Sequence, residues 1–213
     1  MFLYNRTASF ASMKIIKNFA LPLILFLPLF FAGCSCHCLR GTKKPSRKPI
    51  GGNYSLIGRG RATERMMIDY IRQHNDRLSS TRLQYIVKVY VFESSYEGIN
   101  HDIAFAQMCH ETNFLKFGGA INKRQNNFCS LGTMGYDVYG ACFFSIRDGI
   151  RAHVQHLKAY GSRLSLINNC IDPRFDLIER GCARTIDGLT TKWSPGGNYG
   201  KALCEKINSL LLM

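Results

Sequence analysis

Apolar residues recur at helical spacing in four stretches of this chain, and that recurrence restricts the fold more than any other feature of the sequence. Side chains three and four apart share one face of a helix, and an apolar face has to be buried against another element. Met67, Tyr70, Ile71 and His74 keep this spacing, with Thr63 placed before them as a cap. Leu83, Ile86, Val87, Tyr90 and Val91 make a second face, and Asp102 opens a third helix that runs toward Phe114. Ser145, with Asp148 three residues on, resembles a capping box ahead of Ile146, Ile150, His153, Val154 and Leu157. Tyr199, Leu203, Ile207 and Leu210 mark the last helix. Between the third and fourth lies "INKRQNNFCSLGTMGYDVYGACFFS", residues 121–145, which has glycines, several aromatics and no helical period. It reads as loop with a short hairpin. No internal repeat is visible. The expected fold is mainly α, with one irregular or β-hairpin lobe.

The chain has 213 residues, 46% of them hydrophobic, which suits one domain with a sizeable core plus extra segments. Its formal net charge is +14, a value that invites a nucleic-acid partner. The distribution argues otherwise. Residues 1–33 carry Arg6, Lys14 and Lys17, and residues 34–63 carry Arg40, Lys43, Lys44, Arg47, Lys48, Arg59 and Arg61, with no acid in either segment. All 14 acidic residues fall in residues 64–213 and offset most of the basic ones there. The charge thus belongs to a leader and a basic, Gly/Pro-rich linker, a solvated tether near an anionic surface. No nucleic-acid motif accompanies it, so no nucleic-acid partner is expected.

"MKIIKNFALPLILFLPLFFAGC", from Met13 to Cys34, has a short basic start, an apolar run and small residues before a cysteine. Residues 1–33 therefore read as a signal peptide, with translation starting at Met1 or at Met13. Pro22 and Pro28 interrupt the run and argue against the alternative, a permanent transmembrane helix. "FAGC" resembles the lipobox of bacterial lipoproteins, with Phe31 where the usual residue is aliphatic. Lipidation at Cys34 would give a membrane anchor. Residues 34–63 then form the linker and residues 64–213 the domain. Export would permit disulfides among Cys109, Cys129, Cys142, Cys170, Cys182 and Cys204. Local spacing points to Cys129 with Cys142, and to two of Cys170, Cys182 and Cys204; free buried thiols are the alternative. The absence of a CxxC pair argues against a structural zinc site.

Glu111 ends an otherwise uncharged run, "AFAQMCHETNFLKFGG". Ala104, Gln107, Met108 and Glu111 share a helix face that is apolar apart from Gln107 and the acid. A carboxyl group partly desolvated on such a face is disfavoured in its charged form and suited to donate a proton. The competing reading is an ordinary exposed glutamate near a helix end. Asn126 and Asn127 offer amides for a sugar's hydroxyl and acetamido groups, and Phe128, Tyr136, Tyr139 and Trp193 offer faces for stacking, a combination that suits a carbohydrate cleft. For the aromatics, core packing is the alternative. His110, His153 and His156 with Glu111 raise a zinc site, but "HETNF" lacks the second histidine of HExxH.

Four blocks, "AFAQMCHETNFLKFGG", "QNNFCSLG", "FFSIRDGIRAHVQHLKAY" and "WSPGGNYGKAL", occur in that order. Together they resemble the glucosaminidase domain of glycoside hydrolase family 73, over roughly residues 80–212. The resemblance implies an α-helical, lysozyme-like fold and cleavage of β-1,4 bonds after N-acetylglucosamine in peptidoglycan glycan strands, without cofactor. It implies that Glu111 is the general acid, that Asn126 and Asn127 match a paired-Asn loop beside the cleft, and that Tyr199 is the tyrosine near the acid. Trp193 stands where the family often has tyrosine. "DPR" at Asp172 to Arg174 and "RG" at Arg180 and Gly181 shape turns. The family's second acid, where assigned, lies after the paired Asn. Asp137 is the candidate here, as base or as turn residue, with Glu93, Glu97 and Asp102 behind it, and attack by the sugar's own acetamido group is a third route. Two other functions stay open: a peptidoglycan-binding module without turnover, and an endoglycosidase acting on N-glycans or chitin oligomers.

Overall fold

One helix is buried on every side, and the rest of the chain is arranged around it. The computed structural model describes residues 48–133, 139–194 and 196–213. Among the described residues there are six α-helices: α1 (Glu64–His74), α2 (Ser80–Glu97), α3 (His101–Glu111), α4 (Ile146–Gly161), α5 (Ile186–Lys192) and α6 (Tyr199–Leu210). A 3-10 turn spans Phe175–Leu177. The protein is mainly helical, and the only β pairing among the described residues is in three isolated bridges. α3 is the enclosed helix, buried from His101 through Cys109. It packs on α2, α4 and α6, while α2 also pairs with α1 and α4, and α5 with α6.

The helix starts follow local chemistry. Thr63, Ser79, Asn100 and Ser145 each accept a hydrogen bond from a backbone N–H of the first turn, which satisfies a donor with no partner inside the helix. Ser145 Oγ also donates to Asp148 Oδ2 at 2.7 Å. All five helices expected from the sequence form, with α3 ending at Glu111 rather than running on toward Phe114. α5, only seven residues long, is too short to declare a period.

The linker does not extend to residue 63. Ile50, Leu56 and Ala62 are buried in the main core. The Ile50 backbone exchanges hydrogen bonds with the Asn208 side chain on α6. Fully buried Asp102 accepts from the Tyr54 hydroxyl (2.8 Å), Arg61 N (2.7 Å) and Ala62 N (2.9 Å). The segment has no helical or strand period, so its burial is invisible to pattern reading, and the Asp102 carboxylate together with isolated backbone bridges to Thr185 and Ile99 supplies the hydrogen bonds that regular secondary structure would. The expected signal peptide, the expected lipidation site Cys34 and residues 34–47 lie outside the described residues.

The other acids named as second-carboxylate candidates on α2 are also structural. Glu93 is buried and takes Arg147 (2.6 Å) and Arg151 (3.0 Å). Glu97 holds Lys158 at 2.7 Å and accepts from the N–H groups of Ile167 and Asn168. Burial alone would raise the Glu97 carboxyl, but the Lys158 and backbone hydrogen bonds outweigh it and hold it below its ordinary value.

The expected lobe, residues 121–145, is irregular rather than a hairpin in its described part. Asn127 Nδ2 donates to Leu131 O and Ala141 O, and its Oδ1 accepts from Cys129 N and Leu131 N. The lobe docks on α4 through Gly149, where an added Cβ would stand 1.7 Å from the Asn126 carbonyl oxygen.

Asp102→Ala strands buried donors of the 54–62 segment. It is expected to cost about 3 kcal/mol in urea-induced unfolding. A loss below about 1 kcal/mol would show that the segment is held by its apolar contacts alone.

Candidate active site

Glu111 is the last residue of α3, and the chain turns sharply after it. Thr112 Oγ1 donates to Met108 O (2.7 Å) and accepts from Leu115 N (2.9 Å). Asn113, Phe114 and Leu115 follow with φ of 47°, 56° and 61°, left-handed values that are uncommon for Phe and Leu. Local strain of this kind concentrates at functional sites. The turn leaves the carboxyl group on the wall of a cleft of about 260 Å³. The lobe residues Cys129 to Thr133 form one side of the cleft, and Trp193, Tyr160 and His156 contribute to the rest.

Glu111 Oε1 accepts two hydrogen bonds, from Trp193 Nε1 at 3.0 Å and from the Tyr199 hydroxyl at 2.7 Å. Oε2 has no partner among the described residues. The two donors hold one oxygen in place and leave the other facing the cleft.

A line of buried side chains runs from this carboxyl group into the core. Gln107 Nε2 donates to the Tyr199 oxygen (2.7 Å), Gln107 Oε1 faces His153 Nε2 (2.9 Å), and His153 Nδ1 faces the Tyr90 hydroxyl (3.0 Å). The proton positions follow from the end of the line. Tyr199 has one hydroxyl proton, and Glu111 takes it. Its oxygen must then accept from Gln107, which turns the amide oxygen toward His153. His153 therefore carries its proton on Nε2, and Tyr90 donates to Nδ1. Burial and then the neighbouring His156 push His153 down to about 3, so the ring is neutral near pH 7. Burial, then the charge of Glu111, holds the Tyr199 hydroxyl well above its ordinary value, so it remains a donor.

The structure separates the residues proposed from sequence. Glu111, Tyr199 and Trp193 come together. Trp193 meets the acid by hydrogen bond, and its half-buried ring packs near His156, Tyr160 and Tyr199 while lining the cleft. Phe128 is fully buried against Tyr90 and Phe117 and cannot stack on a sugar. Asn127 is fully buried with its amide engaged inside the lobe, so it shapes the cleft without reaching into it. Asn126 donates to Phe143 O and faces a separate concavity with Arg77, Arg82 and Phe117. Tyr139 is exposed and outside the cleft lining. Tyr136 and Asp137 lie outside the described residues.

The three histidines do not converge. His153 is engaged with Tyr90 and Gln107, His156 with Asp172 at 2.7 Å, and His110 packs edge-on against Tyr199. Among the described residues no group of three or more His, Cys, Asp or Glu side chains is arranged to hold a metal. All six cysteines there are free thiols. Cys129 is buried while Cys142 is exposed, so the expected pair does not form.

Sequence reasoning saw Gln107 on the acid's face but not its role, and it missed the link through His153 to Tyr90. The i, i+4 spacing of Gln107 and Glu111 was the available signal. The long-range steps, such as Tyr90 to His153, had none.

His153 makes the fold sensitive to acid. Its folded value lies below the unfolded value of ~6.5, so the unfolded chain binds the extra proton and stability falls as pH drops through the window between them. His153→Gln is expected to remove about 1 kcal/mol of the stability lost between pH 6 and pH 5, measured by urea unfolding at each pH. An unchanged pH slope would mean that His153 is protonated in the folded state.

No protein-family model matches the chain, so the glucosaminidase resemblance stands on its four motifs alone. No solved structure matches it either. An uncharacterized protein of Borreliella burgdorferi is 42% identical over 156 residues, which cover 73% of this chain and 76% of that protein. At that identity and coverage, the chain belongs to the same family as the Borreliella burgdorferi protein.

Proposed function

We propose that this protein is a glycoside hydrolase that cuts β-1,4 bonds after N-acetylglucosamine in peptidoglycan, with Glu111 as general acid and a lysozyme-like arrangement of helices around the cleft. The observation that carries this reading is the asymmetric carboxyl group of Glu111, with Oε1 held by Trp193 and Tyr199 and Oε2 on the cleft wall without a partner among the described residues. The proton on Oε2 passes to the glycosidic oxygen as the bond to C1 breaks. Glu111 becomes a carboxylate in that step, and hydrogen bonds from Trp193 and Tyr199 strengthen as the charge develops. Interactions that grow toward the transition state are the ones that raise the rate.

The leader and lipobox support export and attachment through a lipid on Cys34. The basic residues of the tether would be drawn to anionic envelope surfaces. Among the described residues no helix is long and apolar enough to cross a membrane. A second reading, a peptidoglycan-binding module without turnover, is favoured by one observation: Glu111 is the only carboxylate among the described residues lining the cleft.

Digestion of peptidoglycan, followed by reduction and mass spectrometry of the released ends, decides between them. Reduced N-acetylglucosamine from the wild type, falling about a hundredfold or more in Glu111→Gln, is expected. Sedimentation with peptidoglycan and no released fragments would favour the binding module. Equal release by both proteins would remove Glu111 from the chemistry, and release from chitin oligomers or N-glycans alone would change the substrate.

A further inference from the structure

Glu111 gives one proton, and hydrolysis of a glycoside requires a second group that activates water or attacks the sugar. Glu93, Glu97 and Asp102 are held in structural contacts. The glucosaminidase reading, on which this inference rests, therefore lacks a partner for Glu111 among the described carboxylates of the cleft. The histidine on the cleft wall supplies one. We infer that His156, oriented by Asp172, is the general base of this cleft and takes a proton from the attacking water.

His156 lies on α4 and lines the same cleft as Glu111. Its Nδ1 stands 2.7 Å from Asp172 Oδ2. A carboxylate only accepts, so Nδ1 carries a proton, and a ring singly protonated there has its lone pair on Nε2. Nε2 has no partner among the described residues. With Nδ1 engaged, it is the atom left for water.

Asp172 is firmly placed for this role. Its side chain is sealed from solvent, Oδ1 accepts from Arg174 N at 2.9 Å, and its own N–H donates to Gln155 Oε1 at 3.3 Å. Gln155 also anchors Ile171 N and Asn169 O, so α4 carries both the histidine and the support for its carboxylate. The "DPR" turn thus does more than reverse the chain.

Trp193 connects the two catalytic groups. Its ring meets His156 edge-on at 5.2 Å, and its N–H reaches Glu111 Oε1 at 3.0 Å. Glu111 and Asp172 both bear on one buried atom as well. The Cys129 thiol is pushed well above its ordinary value by burial first, then by the charges of these two carboxylates.

The step balances without a cofactor. The water oxygen forms a bond to C1 as the bond from C1 to the glycosidic oxygen breaks. The water proton goes to His156 Nε2, and the Glu111 Oε2 proton goes to the leaving oxygen. Exchange with solvent then returns both groups to their starting states. Water activated opposite the leaving group inverts C1, so a β bond yields an α product.

The test uses the full protein on peptidoglycan, with wild type, His156→Ala, Asp172→Asn and Glu111→Gln compared. Wild type is expected to release the α anomer first, as read by NMR. His156→Ala is expected to lose about a hundredfold in rate. Azide needs no deprotonation, so it should restore turnover in His156→Ala and leave an α-glycosyl azide, with no such rescue in Glu111→Gln. Asp172→Asn should fall with His156→Ala. Emission from Trp193, the single tryptophan, reports whether each variant keeps its cleft.

A β first product from wild type overturns the inference while leaving Glu111 as acid, and it does so even where His156→Ala does not fold. A folded His156→Ala that turns over at the wild-type rate, or that is inactive and unrestored by azide, overturns it as well. Absence of turnover by wild type overturns both this inference and the glucosaminidase reading.

Discussion

The hydrogen bond from Gln107 to the Tyr199 hydroxyl, 2.7 Å long and sealed from solvent, ties the helical core to the cleft. It joins α3 to α6 and sets the direction of every proton from Tyr90 to Glu111. An interior that held Gln107 without these partners would leave a buried amide unsatisfied, at a cost of about 1–3 kcal/mol. The same residues that make the core unique therefore aim the acid. Packing and chemistry are not separable along this line, because a fully satisfied polar network in a dry interior admits one arrangement.

The fold reads outward from there. α3 can be enclosed because its residues from His101 through Cys109 include no unpaired charge. Its one buried acid there, Asp102, meets the 54–62 segment, while its other acid, Glu111, waits until the helix end. α2 and α4 enclose it from one direction and are joined by Glu93 to Arg147 and Arg151 and by Glu97 to Lys158. Removing either partner of such a buried pair leaves an uncompensated charge, so these contacts serve as register marks between the two helices. The lobe between α3 and α4 then has a fixed frame on which to form the other side of the cleft.

Much of this was legible in the sequence where the physics is local. Capping residues such as Thr63 and Ser145 and the apolar periods of α1, α2, α4 and α6 are short-range signals, and they gave the helices. The acid at the end of α3 could be singled out for the same reason. Long-range pairings were not legible. Nothing near Phe128 shows that its ring turns into the core, and nothing near Asn127 shows that its amide is saturated by Leu131, Cys129 and Ala141. Leu56 has no periodic neighbours, and its backbone is held by Asn100 and Arg184, both far along the chain. His156 and Asp172 are separated by 16 residues and a change of element, and their meeting could not be derived from either neighbourhood.

The central claim is that Glu111 stands at a scissile glycosidic oxygen. The most direct measurement is a crystal structure of Glu111→Gln with a β-1,4-linked N-acetylglucosamine–N-acetylmuramic acid tetrasaccharide. The account predicts a strand across the cleft, with one glycosidic oxygen about 2.6–3.2 Å from the residue-111 side chain. A strand bound elsewhere, or one whose glycosidic oxygens all lie beyond reach of that side chain, would contradict it.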